Sequence, residues 1–242
     1  MIGDIFFIVL IHDIIDVESA AYWAICYCGV RNSMGAVGTL TSYSDLSNSS
    51  YQSTQAWMDK NSNYDDWYEQ MWEKEYDETI YRYTGDYYSY INSYLRSGDF
   101  TAPSGDYYYK DDADKDIKEI DYAISKFEFM KPLTVYRDSD TSMFGGSKMS
   151  YEQLKALEGT TVTDKAYMST SLLKDLPGEQ TVGGAVSYKI DIPSGVGRAA
   201  YVAKSSENPQ EREVLIARNS QYKVKSVSKN SNGSIVVHLA LM

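Results

Sequence analysis

Four small clusters of polar residues in this 242-residue chain have the types and spacing to do chemistry. The first is Glu211-Arg212-Glu213, which stands directly before the apolar run Val214-Leu215-Ile216. In a strand, alternate side chains share a face, so Glu211 and Glu213 would point together and Arg212 away. Two carboxylates that close resist ionising together, and one pKa rises. Such a pair can divide its work between stabilising a cation and moving a proton. Standing alone, the same motif reads first as the wet end of a strand. The second cluster is Ser169-Thr170-Ser171 in "YMSTSL". Here Ser169 and Ser171 would share a strand face, and hydroxyls can fix a carboxylate rotamer. The third is Arg137, at the end of "LTVYR", where a buried strand meets a loop. A guanidinium there can fork onto a phosphate, or pair with Asp138 or Asp140. The fourth is Tyr88 with Asn92, four residues apart and so on one helix face.

The elements that must position these groups follow from periodicity. Residues 41–55, "TSYSDLSNSSYQSTQ", are Ser/Thr-rich with few large aliphatics and read as a linker or loop, with a soft boundary near residue 52. From Trp57, large apolar residues recur at three- and four-residue intervals. Trp67, Met71 and Trp72 form one set, and Tyr87, Ile91 and Leu95 another, which predicts amphipathic helices. Thr84-Gly85 interrupts the pattern, with Thr84 or Asp86 as the expected N-cap of the next helix. "RSGDF" ends that helix, and "DKDIKEIDYAISKFE" predicts another with Ile117, Ile120 and Ile124 on one face. Ser150 with Gln153 forms a capping box before a short helix. After this the chain turns β-rich: "KAYMSTSLL", "AVSYKIDI", "AAYVAK", "EVLIA", "QYKVKSVSK" and "SIVVHLALM" read as strands. Helices first and strands later predict an α+β fold.

Composition narrows the function. The net charge is −11 with no Lys/Arg stripe, which argues against nucleic acid and against anionic membranes. The two cysteines, Cys26 and Cys28, and the two histidines, His12 and His238, show no metal-ligand spacing, so no metal site is expected. The apolar run "IFFIVLI" is too short to span a bilayer. It has neither a basic leader nor a small-residue cleavage site, so no clear signal peptide is read. Tyrosine is abundant, 23 against 6 Phe, which suits ring-stacking or ligand-binding surfaces and suits equally a compositional habit.

Taken in order, "YTGDYYSYIN..LR", "LTVYR", "AYMSTSL" and "EREVLIARNSQYKV" resemble the bacterial mono-ADP-ribosyltransferase toxins, in the branch of clostridial binary-toxin enzymes and C3 exoenzymes. The resemblance covers about residues 57–242. It implies a fold of two small β-sheets packed at a steep angle with an N-terminal helical region, and NAD bound between them as substrate. It divides the chain into an extension, 1–52, and a catalytic domain, 53–242, in a C3-like single-domain layout. It implies that Glu213 is the catalytic glutamate, Glu211 its partner and Ser169 the residue holding Glu213. Arg137 would contact the dinucleotide phosphates, Thr170 and Ser171 would support the cleft, and Tyr88 and Asn92 would line the NAD site. Glutamate two positions before the catalytic one implies arginine as acceptor. The loop 204–210 would present the target protein, with actin a candidate by resemblance to the binary toxins. The family also implies a secreted toxin or effector acting in a host cytosol.

The loop after Ser171, "LKDLPGEQTVGG", departs from the family in lacking an aromatic residue and an arginine; Lys174 or the backbone near Gly183-Gly184 would stand in at a phosphate. The chemistry agrees with the resemblance. Breaking the nicotinamide–ribose bond develops an oxocarbenium ion, which one anion stabilises, and the leaving group departs neutral. Guanidinium is a poor nucleophile and needs a second carboxylate to take its proton. Two other readings stand beside transfer: an NAD glycohydrolase, with water as acceptor, and an inactive fold member that binds a partner.

Overall fold

Helices precede strands along the chain, as the change in periodicity requires. The computed structural model describes residues 42–105, 107–175 and 186–242. The readings made for "IFFIVLI", His12, Cys26, Cys28 and Gly183-Gly184 lie outside the described residues. The elements are β1 (Ser44–Asp45), α1 (Tyr51–Asn61), α2 (Tyr64–Glu73), α3 (Tyr76–Arg82), α4 (Tyr88–Ser97), α5 (Lys110–Lys126), β2 (Glu128–Phe129), β3 (Leu133–Ser139), α6 (Tyr151–Lys155), β4 (Thr161–Asp164), β5 (Met168–Ser171), β6 (Val186–Ile192), β7 (Gly195–Val196), β8 (Ala199–Tyr201), β9 (Glu213–Ile216), β10 (Ser220–Lys229) and β11 (Ile235–Leu241).

The main sheet runs β4-β10-β11-β6-β3-β5-β9-β8, with β1 parallel beside β3. It consists of two ladders that meet at one registered pair, Tyr136 opposite Ser171. On one side, β3 pairs with β6 over its full length; on the other, β5 pairs with β9, and β9 with β8. Beyond Tyr136 the strands part. Arg137 on one ladder and Ser169–Ser171 on the other therefore flank the same junction. The β2–β7 pair forms a separate two-stranded ribbon.

The helices bury the stripe that 3.6-residue periodicity dictates. Tyr64, Trp67 and Met71 of α2 are buried, and the Trp67 indole donates to the Ala123 carbonyl at 2.8 Å. Trp72, expected in the same set, is 63% exposed. Neighbouring residues on a helix diverge by about 100°, so Met71 and Trp72 cannot share one face. Ile117, Ile120 and Ile124 line the buried face of α5, and Ile91 that of α4. Ser150 and Gln153 form the expected capping box, and Gly98 ends α4 in the left-handed conformation at φ 83°.

Two local expectations are corrected. The serine-rich stretch is loop only in part: Ser44 and Asp45 pair with Leu133 and Thr134, and Ser50 caps α1, which starts at Tyr51, through the Ser53 amide. Serine favours helix starts as much as loops, and composition alone does not separate the two. The break at Thr84-Gly85 is real but is a π-helical turn, Tyr83–Tyr87, with non-helical torsions at Gly85 only (φ −85°, ψ −112°). Neither Thr84 nor Asp86 caps α4; Tyr87 occupies that position in helical conformation, without a side-chain cap. Because the backbone leaves the helix only at Gly85, α3 feeds into α4 without the extended residue that a side-chain cap needs.

One buried cluster ties the larger ladder together. Asp191 on β6 accepts from Lys225 Nζ at 2.8 Å and Thr134 Oγ1 at 3.1 Å, and lies 2.9 Å from His238 Nε2. Burial alone would raise its pKa, but the His238 and Lys225 contacts outweigh it and hold the carboxyl down at about 2. Its folded value is thus below its unfolded one. The stabilisation, about 2 kcal/mol, is present above the unfolded pKa near 4 and is lost as pH falls through 2. Asp191→Asn is expected to lower the thermal midpoint at pH 7 and to flatten the loss of stability between pH 4 and 2. Unchanged acid denaturation in this variant would dismiss the cluster as a stabiliser.

Candidate active site

The junction between the two ladders opens into a cleft of about 410 Å³, walled by the π-helical turn, the ends of β3 and β5, and the segment before β9. Its lining includes Tyr88, Arg137, Ser169, Thr170, Ser171, Glu211 and Glu213. Glu213 is the first residue of β9, opposite Ser171, and its carbonyl accepts from the Val202 amide at 3.0 Å. Both neighbouring strands thus fix its backbone.

The two glutamates reach one cleft by a route other than strand alternation. Only Glu213 is in the strand; Glu211 ends a 3₁₀ turn, Pro209–Glu211. Between them Arg212 sits in the left-handed region at φ 51°, ψ 51°, which costs a non-glycine residue about 1–2 kcal/mol. The Arg212 side chain offsets this: it is buried, donates to the Ser49 carbonyl at 2.6 Å and to Thr54 Oγ1 at 3.2 Å, and lies over the Tyr51 ring. Held by the start of α1, Arg212 turns the chain so that Glu211 and Glu213 face the same space.

Glu213 is a buried carboxyl whose Oε1 has no hydrogen-bond partner. Burial, reinforced by the Glu211 charge, raises its pKa to about 7, against the opposing pull of the Ser169 hydroxyl and the Arg137 guanidinium. Behind it stands a buried network that the sequence reading missed. The Tyr83 hydroxyl accepts from Asn92 Nδ2 at 3.0 Å, and Asn92 Oδ1 accepts from the Tyr167 amide at 3.2 Å. Burial, then the Glu213 charge, pushes the Tyr83 phenol above its ordinary value, so Tyr83 stays protonated. The available signal was the nine-residue separation of Tyr83 and Asn92 across a helix break.

The predicted residues divide by layer. Tyr88 lines the cleft and is about half exposed. Asn92 lies behind the wall, fully engaged with Tyr83 and Tyr167. Thr170 Oγ1 donates to the Val214 carbonyl and Ser171 Oγ to the Glu211 carbonyl, both at 2.5 Å, so these hydroxyls brace β9 and the turn before it. Arg137 Nη1 donates to the Ser169 carbonyl at 2.5 Å, and no ion pair with Asp138 or Asp140 forms among the described residues. A second guanidinium, Arg96 at the end of α4, shares a small recess with Arg137 and is paired to Asp164 at 3.0 Å. The sequence reading assigns Arg96 no role, although it closes the stretch "YIN..LR". Lys174 is exposed and is not part of the cleft lining.

The whole arrangement has known counterparts. A family model described as ADP-ribosyltransferase exoenzyme matches residues 54–240. Among solved structures, the chain is similar to Plx2a, an ADP-ribosyltransferase toxin from Paenibacillus larvae, at 29% identity and a TM-score of 0.62, covering 79% of this chain and 96% of that one. It shares its fold with the ADP-ribosylating toxin BECa of a binary enterotoxin of C. perfringens, solved with NADH, at 22% identity and a TM-score of 0.67 over 83% of this chain and 50% of that one. The same holds for the C3 exoenzyme of Clostridium limosum, at 21% identity and a TM-score of 0.62 over 83% and 98%. No curated protein sequence matches the chain. With a family model spanning most of its length and a buried carboxylate at the junction of two ladders, this chain belongs to the ADP-ribosyltransferase exoenzyme family, toxin transferases whose substrate is NAD.

Proposed function

We propose that the protein transfers ADP-ribose from NAD to an arginine side chain of a target protein, releasing nicotinamide. The observation that carries this reading is the Glu213 carboxylate, buried, with an unpartnered oxygen, in a cleft that Glu211 also lines. An unpaired buried carboxylate is costly and persists where a substrate group will satisfy it. A ribose hydroxyl is such a group, and a cationic sugar is the charge it complements. The transferase is assigned to residues 53–242. Residues 1–52 form an extension whose last stretch, Ser44–Ser50, is built into the same unit.

In the proposed mechanism the C1′–nitrogen bond to nicotinamide breaks, and its electron pair leaves with the neutral ring. Ionised Glu213 stabilises the positive charge left on the ribose, and Ser169 keeps its carboxylate in the charged form. The guanidine nitrogen of the acceptor bonds to C1′, and its proton passes to Glu211. Arg137, which forms no carboxylate ion pair among the described residues, would fork onto the dinucleotide phosphates, with Arg96 beside it. Tyr88 supplies an exposed ring at the mouth. Thr170 and Ser171 act through the backbone of β9, and Asn92 acts through Tyr83. The loop 204–210 is assigned to the target protein, actin being one candidate, and the setting to a host cytosol reached by secretion. Among the described residues no helix is long and apolar enough to cross a membrane.

The test is incubation with NAD and host lysate, reading nicotinamide release and, by mass spectrometry, the modified protein and side chain. ADP-ribosyl-arginine supports the proposal. Free ADP-ribose with no labelled protein would assign glycohydrolysis instead, and no nicotinamide release at any enzyme concentration would assign a non-catalytic role. Arg137→Ala is expected to raise the Kd for NAD roughly 10- to 100-fold, the loss of one or two charge-assisted hydrogen bonds. Calorimetric titration measures it directly, and unchanged NAD affinity would remove Arg137 from the phosphate site.

A further inference from the structure

The loop Ser205–Gln210 is tethered to the π-helical turn at one point. The Glu207 amide donates to Thr84 Oγ1 at 3.0 Å, and that hydroxyl donates onward to the Tyr81 carbonyl at 3.1 Å. The exposed Glu207 carboxylate folds over Gly85, and a Cβ at residue 85 would turn aside the flexible end of that side chain. On the N-terminal side, the Lys204 amide donates to the Tyr64 hydroxyl at 2.9 Å, and Ser205 and Ser206 are buried. On the C-terminal side, Asn208 and Glu211 already line the cleft. The Thr84–Gly85 contact is therefore the last attachment before the chain enters the cleft wall.

We infer that Thr84 is a positioning residue for the acceptor, setting Glu211 through the loop while leaving Glu213 to the sheet. The inference rests on the arginine-transfer reading above. Three residues separate Glu207 from Glu211, one of them is Pro209 with its fixed φ, and Pro209–Glu211 forms a 3₁₀ turn. So short and stiff a segment couples the position of Glu207 to that of Glu211, whose carbonyl the Ser171 hydroxyl also holds. Glu213 is fixed independently, by strand pairing to Ser171 and by the Val202 amide. A loss of the Thr84 hydroxyl should shift the proton acceptor and leave the sugar-stabilising anion in place, whereas a methyl at residue 85 should only turn the Glu207 carboxylate aside. The ratio of transfer to hydrolysis is then the quantity the tether controls.

The test uses the full chain with Thr84→Val, Thr84→Ser, Gly85→Ala and the pair Gly85→Ala/Glu207→Ala. Amide exchange over residues 206–211 reads the tether itself, and transfer to agmatine relative to free ADP-ribose formation reads its consequence. Thr84→Val is expected to speed exchange and lower the transfer-to-hydrolysis ratio, each roughly three- to tenfold, the worth of one hydrogen bond, and Gly85→Ala to leave both within about twofold. Thr84→Ser should restore both, and the pair Gly85→Ala/Glu207→Ala should match Gly85→Ala, since only a side-chain end moves. Unchanged exchange in Thr84→Val overturns the inference. So does a ratio that stays constant while both activities fall, because the loop would then position no acceptor. If the unsubstituted protein cleaves NAD without labelling agmatine, the arginine reading fails, and the exchange result still decides whether the tether exists.

Discussion

Glu213→Gln is expected to abolish NAD cleavage, with and without an acceptor, and at the same time to make the folded protein more stable above pH 7. Both effects follow from one property of the site. A carboxyl with a folded pKa near 7 against an ordinary value of 4.5 favours folding only while protonated. Its contribution is fully present below about pH 4.5 and is lost as pH rises through 7. Above that, keeping the charge buried costs about 3 kcal/mol, from the size of the shift. The amide of glutamine carries no charge, so the variant escapes the cost. For a unit of this size that corresponds to a thermal midpoint roughly 5–10 °C higher at pH 8, shrinking to little or nothing at pH 5. Turnover moves the opposite way, by roughly three orders of magnitude or more, because the cation loses the buried counter-charge that stabilises it. Thermal scans at two pH values and a nicotinamide-release assay test the pair of effects. Retained cleavage, or an equal stability change at pH 5 and pH 8, would refute the assignment. In the unsubstituted protein, kcat/KM for NAD is expected to rise with pH through a midpoint near 7, as Glu213 ionises.

Glu211→Gln separates the two activities. Transfer to arginine is expected to fall roughly 100-fold or more, within the range general-base catalysis supplies, while hydrolysis of NAD persists within about tenfold. Glu211 sits in a 3₁₀ turn, half-buried and outside the strand, so the substitution leaves the β9 pairing intact. It also removes the like charge that helps hold the Glu213 pKa up, so the pH midpoint for hydrolysis moves to lower pH. That shift is a readout that mere disruption of the cleft does not produce. Parallel loss of transfer and hydrolysis, with an unmoved midpoint, would merge the two roles into one and leave the arginine specificity without support.

Much of this protein is legible in its sequence, for identifiable reasons. The buried stripes of α2, α4 and α5 and the six strands read from "KAYMSTSLL" onward follow from residue periodicity, because burial of one face is a local demand repeated along each element. The family resemblance added what periodicity cannot supply: that Arg137, Ser169 and Glu213, dozens of residues apart, belong to one cleft. Short elements escaped. The two-residue strands β1, β2 and β7 have no period to detect, and β1 hid in a serine-rich stretch whose composition mimics a linker. Only the tertiary structure decided how the glutamates converge. Alternation assigned both to one strand face; in the fold, Arg212 takes a left-handed turn because its guanidinium is captured by Ser49 and Thr54, far away in the chain. It also decided that Asn92 supports Tyr83 behind the wall, and that Glu207 closes over Gly85. The sequence determined which side chains are available and which face of each helix and strand is buried, since those depend on neighbours in the chain. Desolvation, orphaned oxygens and captured side chains depend on neighbours in space, and they alone made Glu213 a carboxyl that titrates near neutrality.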